Sequence, residues 1–517
     1  MSKHRIRLCW QEFYNRSCCK EGIKLIKNVF LINCLVLTFS YAVTSVAQST
    51  DYYVSPNGKD GSSGTSASSA WKTFKYAVPK LKPGDTLILL DGTYSEHLSI
   101  DCTKNAFNGT KDKRISIIAQ NERKAFLKGD GGDPPFSLRN CSYWIIEGIR
   151  AESKDNADTT AYGMKGHVFH IMNSSDITLG RLLGAFPNRY TNTHVFNIAN
   201  SAKILIEESE AYYFHRHGFS ISNSSYVTLR RNYANSRGYA DLSDGYRSIN
   251  TKMGDEGFVF YLSTDSVMEN NISENNLAII DIGQRNTIMG NISLSNVQGF
   301  SLSHHPKWDS EFRDNTSINN VAYNNTSNGF FIRTPMNVVA ENNTSIKNKD
   351  SGFKMDNEMS RPSRNVSWTI YPSLAVRNSL AVNNSKNGFR TDDVNEFSSL
   401  ALQYLRAFAN YRDYSTPGVS LSSSSSSDPK IGNCIVYIPS GSPLKKAGKD
   451  GKDIGANIIY RYENGELTDN KLWNQSTGQF PCGATVPGIN DGSDFPDSAC
   501  VNVHKRLNVG VNGCSIP

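Results

Sequence analysis

One short phrase keeps returning in this chain, and it restricts the fold more than any other feature. Gly218-Phe219-Ser220-Ile221, Gly257-Phe258-Val259-Phe260, Gly299-Phe300-Ser301-Leu302, Gly329-Phe330-Phe331-Ile332, Gly352-Phe353-Lys354-Met355 and Gly388-Phe389-Arg390-Thr391 share the pattern Gly-Phe-x-(mostly apolar). The six glycines stand 39, 42, 30, 23 and 36 residues apart. Self-similarity at this period signals a stacked array in which each unit buries its apolar face only against its neighbours. Phe and the residue two positions on point to one side of a strand, and the x residue points to the other. Gly is expected to supply the bend into the strand, and the Asn-rich pieces between phrases to supply turns with left-handed backbone angles. Asn side chains stacked from coil to coil can also pair along a ladder. Short strands, Asn corners and little helical periodicity predict an all-β right-handed parallel β-helix. A propeller or sandwich would need hairpin turns at regular intervals, and Asn328-Gly329 and Asn387-Gly388 lead into the Phe strand instead.

The 517 residues suffice for one long solenoid with small appendages. The run Val29 to Val43 is apolar, follows Lys20, Lys24 and Lys27, and precedes Ser45-Val46-Ala47. This is the layout of a signal peptide, with cleavage expected near Ala47; an uncleaved anchor is the alternative, because 27 residues precede Asn28 and the run. Residues 1–47 hold seven Lys/Arg against two Glu, a surplus of five, so the +7 of the whole chain becomes +2 beyond them. That balance points to no nucleic-acid partner. The expected location is secreted, periplasmic or cell-surface, as a monomer. Six cysteines follow the segment (Cys102, Cys141, Cys434, Cys482, Cys500 and Cys514), an even number suited to disulfides in an exported chain.

The remaining layout is a β-helix over 48–395, a helix and Ser-rich linker over 396–430, and a Cys-containing cap over 431–517. Trp71, Phe74, Val78 and Leu81 recur at helical spacing and predict a short helix covering the open N-terminal end. Phe397 to Tyr411 reads as a short helix over the last coil, and Ser420 to Ser427 as a low-complexity linker. Asn271, Asn291 and Asn343 head Asn-x-Ser/Thr triplets, which match glycan acceptors but which the repeat explains by itself.

The opening Tyr52-Tyr53-Val54-Ser55-Pro56-Asn57-Gly58, the Trp71-Lys72-Thr73-Phe74 helix, Pro83-Gly84-Asp85-Thr86 and Asp91-Gly92-Thr93-Tyr94 resemble the start of secreted pectin-lyase-like β-helix proteins, family-9 pectate lyases among them. In that family the base is a lysine within Asn-Gly-Phe-Lys, and Ser351-Gly352-Phe353-Lys354 is similar to it. The resemblance implies a polysaccharide lyase whose base is Lys354, acting on an acidic glycan, with Ca²⁺ held by an aspartate cluster. The acid grouping that offers itself is Asp241, Asp244, Asp255 and Glu256, although it lacks the family's adjacent-Asp pattern; Asp281 is nearer in sequence but isolated.

The outward x positions fall on one face of the repeat. Lys354 with Asp356, Arg390 with Asp392, Phe331 with Arg333, Ser301 with Ser303 and Val259 with Tyr261 should stack as a groove-like stripe, with His304 and His305 at its edge. Arg390 and Arg333 are the candidate partners for a substrate carboxylate, and Tyr261, His304, His305, Asp356 and Asp392 the candidate binding residues. Cations and aromatics in a line suit a polyuronate. Two readings compete: a β-helix that binds glycan without chemistry, and glycoside hydrolysis through Asp356 and Asp392 as paired carboxylates.

Overall fold

The computed structural model describes residues 49–156, 165–236, 255–303, 314–333, 337–356, 373–392, 394–482 and 500–517. Three parallel sheets of 14, 12 and 12 strands run from Asp51 to Ser422 and form a right-handed parallel β-helix. One full coil shows the path. His194–Ala199 lies in the second sheet, Ala202–Glu207 in the first and Glu210–Tyr212 in the third, before His217–Ser222 returns to the second.

The Gly-Phe phrase earns its regularity inside the coil. Phe219, Phe258, Phe300, Phe330, Phe353 and Phe389 are all buried, and successive rings stack 4.7–4.8 Å apart except where Ile279 interrupts the file. The glycine's reason differs from the expected bend, since none of the six has a positive φ. A Cβ on Gly299 would sit 2.0 Å from the Gly329 carbonyl oxygen, and one on Gly352 would sit 2.7 Å from that of Gly388. Close approach of neighbouring coils, not backbone freedom, excludes every larger residue there.

The Asn-Asn doublets divide their labour. Asn270, Asn319 and Asn342 take left-handed φ of +55 to +58°, as the turn requires. The second member of each doublet points inward. Along Asn232, Asn271, Asn291, Asn320 and Asn343, each Oδ1 accepts the backbone N–H of the previous asparagine at 2.8–2.9 Å. A second ladder runs through Asn276, Asn296, Asn325, Asn348, Asn384 and Asn410. Buried turn amides are thereby satisfied without water. Asn271, Asn291 and Asn343 are inside the coil, so the folded chain offers none of them to a glycan.

Trp71, Phe74, Val78 and Leu81 cover the N-terminal end as expected, through a helix at Phe74–Ala77 and a 3₁₀ turn at Val78–Lys80. Two expectations are corrected further on. Residues 399–422 form another coil instead of a helix and linker: Ser399–Gln403, Arg406–Phe408, Arg412–Ser415 and Leu421–Ser422 extend the three sheets. Ser424 Oγ accepts the Leu405 N–H at 3.0 Å, as Ser174, Ser201 and Ser224 Oγ accept turn amides in the early coils.

The tail does not cap the solenoid end. It lies along the outer side of the third sheet, where Leu183, Tyr233, Ile272, Val321 and Leu380 face outward and pack on Ile438, Ile458, Trp473 and Val503. Asn270 accepts the Tyr462 N–H at 2.6 Å, Asn319 that of Asn457 at 2.6 Å, and Arg506 reaches Glu274 at 2.6 Å. Disulfides join Cys434 to Cys514 and Cys482 to Cys500 in the tail, and Cys102 to Cys141 near the start. No helix among the described residues is long and apolar enough to cross a membrane.

Candidate functional site

The outer face of the second sheet carries the residues with chemistry, and strand register decides which of them meet. Ser301 stands opposite Phe331, Phe331 opposite Lys354, and Lys354 opposite Arg390. The Lys354 Nζ lies 3.8 Å from Asp356 Oδ2 and 3.9 Å from Asp392 Oδ2, and 5.1 Å from the Phe331 ring centroid. Arg390 Nε donates to Asp392 Oδ1 at 2.6 Å. Lys354, Arg390, Asp356 and Asp392 thus form one cluster. Its lysine side chain is 20 % exposed, its arginine 34 % and Asp392 43 %, so a ligand could reach all three.

Of the other expected members that are described, one adjoins the cluster in strand register and the rest do not join it. Arg333 occupies the strand position opposite Asp356. Tyr261 sits opposite Ser222 and Ile282, four strands away from Lys354. His304, His305, Asp241 and Asp244 lie outside the described residues. The stripe is also not open along its length: Val259, Ser301 and Phe331 are buried. An outward direction from a strand is not exposure when other chain packs on the sheet.

Several coils earlier the same face holds a polar file that the sequence reading missed. His167, His194 and His217 stack ring on ring, at 5.1 Å and then 4.5 Å, and His170 stacks on His167 at 5.2 Å. The Asn197 amide lies 2.9 Å from His170 Nδ1 and 3.3 Å from His167 Nε2. Burial, reinforced by the neighbouring imidazoles, pushes His167 and His194 well below the ordinary histidine value. Burial, then Arg139, brings His170 to about 4. A signal was present: His167-Val-Phe-His170, His194-Val-Phe-Asn197 and His217-Gly-Phe-Ser220 repeat a histidine two residues before the core phenylalanine.

This file ends on acids. His217 Nε2 lies 2.8 Å from Glu256 Oε2, and Arg216 Nη1 donates to Asp255 Oδ2 at 2.5 Å. Burial raises the Glu256 carboxyl, but His217 and Arg216 outweigh it and hold it below the usual carboxylate range. Asp281, the isolated acid, is inside the solenoid in register with Phe260 and Leu302, where burial raises it to about 6.

Residues 52–365 match the family model described as Pel9A-like, right handed beta helix region. The chain belongs to the Pel9A-like β-helix family. No curated protein matches it. Among solved structures it is similar to pectate lyase Pel9A at 17 % identity and TM-score 0.44, over 80 % of this chain and 96 % of that one. The PL6 family alginate lyase AlyGC follows at 14 % and 0.43, over 83 % and 60 %. The GH136 lacto-N-biosidase from Eubacterium ramulus shows 13 % and 0.38, over 63 % and 68 %.

This Pel9A-like chain supplies poor calcium ligands at its described acids. Ligand atoms of His217, Asp255 and Glu256 lie within 4.8 Å of one another, close enough for a cation to bridge. Calcium takes about six to eight oxygens, whereas this trio contributes an imidazole nitrogen, and its two carboxylates are engaged by Arg216 and His217. Of the four acids expected to hold calcium, only Asp255 and Glu256 are described, and with His217 they offer it few free oxygens. Asp281 fits it no better, since its Oδ1 accepts from Gly283 N and Asn286 Nδ2 within the core.

Proposed function

We propose that the protein cleaves an acidic, uronate-containing polysaccharide by β-elimination. One observation carries the reading: Lys354 and Arg390 meet on an exposed sheet face, one coil apart, on the register their motif predicts. Membership of the Pel9A-like family and the names of the similar structures, lyases of pectate and alginate among them, support the same class. In the step, the C5 proton passes to Lys354 Nζ and its electron pair becomes the C4=C5 bond. The C4–O bond breaks, and the departing oxygen takes a proton from solvent. Arg390 meets the adjacent carboxylate, whose neutralisation makes the C5 proton acidic.

The flanking Asp356 and Asp392 favour a second reading. Two carboxylates within 4 Å are natural partners for an ammonium, and a cation so held recognises a polyanion without chemistry. The experiment is ultraviolet absorbance of the unsaturated product over pectate, alginate and glycosaminoglycan substrates. Lys354→Ala should lose about 10²-fold or more of the rate. Lys354→Arg should fail as well, because a guanidinium stays protonated. An unchanged rate in the alanine variant removes Lys354 from the mechanism; no product from the wild type on any substrate leaves the binding reading. Chelator and added Ca²⁺ in the same assay test the calcium expectation.

We also propose export with removal of residues 1–47. Three disulfides support an oxidising destination. N-terminal sequencing of the product should begin near Gln48.

A further inference from the structure

Beyond Arg390 the face opens into a cavity of about 600 Å³, lined by Lys386, Arg390, Asp392, Tyr411, Arg412 and Ser415 among others. Two of these side chains are unusual in their freedom. The Tyr411 ring is 78 % exposed, although an aromatic ring of this size normally finds cover. The Arg412 guanidinium lies 5.9 Å from the centre of that ring and has no carboxylate within ion-pair reach among the described residues. Its neighbours each pair with an acid of the chain, Lys386 with Asp350 at 2.7 Å and Arg390 with the exposed Asp392 at 2.6 Å, a pair that a substrate carboxylate can displace.

We propose that Tyr411 and Arg412 form a subsite for one anionic pyranose, the ring stacking on the sugar face and the guanidinium pairing with its carboxylate. This rests on the acidic-glycan reading above and extends it. Register supplies the path. Lys354 stands opposite Arg390, Arg390 opposite Ser415, and Asn387 opposite Arg412. Successive strands are about 4.8 Å apart, and a 1→4-linked pyranose advances by about the same distance. The polymer therefore runs parallel to the solenoid axis, one sugar per coil, from Lys354 past Arg390 toward Ser415, with Arg412 to one side, three residues earlier on that last strand. Arg412–Ser415 is the edge strand of the second sheet, so the described face ends there. The lining is polar and open, which suits a hydrated saccharide and not an apolar cofactor.

Affinity gels containing pectate, alginate or an uncharged 1→4-glucan test the subsite on the full chain, alongside KM for the same polymers. Expected is retardation of the wild type by an acidic polymer and not by the neutral glucan. Tyr411→Ala and Arg412→Gln should each weaken retardation about tenfold and raise KM more than they lower kcat. Tyr411→Phe, which keeps the stacking face, should behave as the wild type. Wild-type retardation in both Tyr411→Ala and Arg412→Gln overturns the proposal while the lyase reading stands if product still forms. Equal retardation by the neutral glucan overturns it too. Retardation that depends on Tyr411 and Arg412 without any product upholds the subsite and sinks the lyase. A wild type held back by no polymer overturns the subsite, and the lyase reading falls with it only if no product forms either.

Discussion

The second sheet shows its outer face in two very different ways. At its early coils the positions beside the core phenylalanines hold His167, His170, His194 and His217, which are largely buried and stacked, with Glu256 closing the file. At its late coils comparable positions hold Lys354, Arg390 and Arg412, part-exposed and set beside an open pocket. Backbone and register are the same, so cover makes the difference. Polar groups removed from water mostly find one another, and the early file does so through Asn197 and Glu256, although Nδ1 of His194 and of His217 has no hydrogen-bond partner among the described residues. Groups left wet keep valences for a ligand. The late end is thus the better place to seek binding, and the early end the better place to seek stability.

The strongest test of that contrast removes a charge at each end. Glu256→Ala leaves His217 without its buried partner, while Arg216 keeps Asp255, and should cost about 3 kcal/mol or more in denaturant unfolding. A loss below about 1 kcal/mol would erase the distinction.

Acid should act on the early end next. His170, at about 4 in the fold against 6.5 in the unfolded chain, takes up its proton less readily when folded. Its contribution is therefore whole above about pH 6.5 and is lost as pH falls toward 4, about 3 kcal/mol in all. His167 and His194, also lowered, act in the same direction. Thermal melts between pH 7 and pH 4 should show a falling midpoint; a flat profile in a His170→Asn variant that matches the wild type would count against it.

Asp281 has the opposite sign. Its carboxyl is raised to about 6, so the folded state keeps that proton and the contribution is lost as pH rises from 3.8 through 6. Asp281→Asn should then stabilise the protein by about 3 kcal/mol at pH 8 and by little at pH 4. It should also steepen the acid loss from the histidines, by removing the opposing term. The smallest effect belongs to the late end: Asp392→Ala, at an exposed pair, should cost less than about 1 kcal/mol of stability while changing glycan retention, read on the same gels.

Much of this was legible beforehand. The solenoid follows from the Gly-Phe phrase and the Asn doublets, because each coil repeats one steric and one hydrogen-bonding need. The Lys354–Arg390 contact follows too, since aligning two phrases aligns their x positions. The coil at 399–422 was hidden because it lacks the Gly-Phe phrase: Tyr414 stands where the phrase has its phenylalanine. The tail's position was hidden because the strands it covers, such as Leu183–Ala185 and Ile272–Glu274, have three residues each, too few to show an apolar period. The buried stripe at Val259 and Ser301 was illegible for a deeper reason: whether an outward residue is wet depends on distant chain, not on its own strand.

The inward asparagine ladders carry a practical consequence for making the protein. Asn271, Asn291 and Asn343 begin acceptor triplets yet must end inside the coil. A eukaryotic secretory host attaches sugars as the nascent chain emerges, before any coil has closed. Each oligosaccharide added there would be too large to enclose and would take the amide that joins one rung to the next. Yeast or mammalian secretion should therefore yield glycosylated, degraded material, whereas a bacterial host without that machinery should yield folded product.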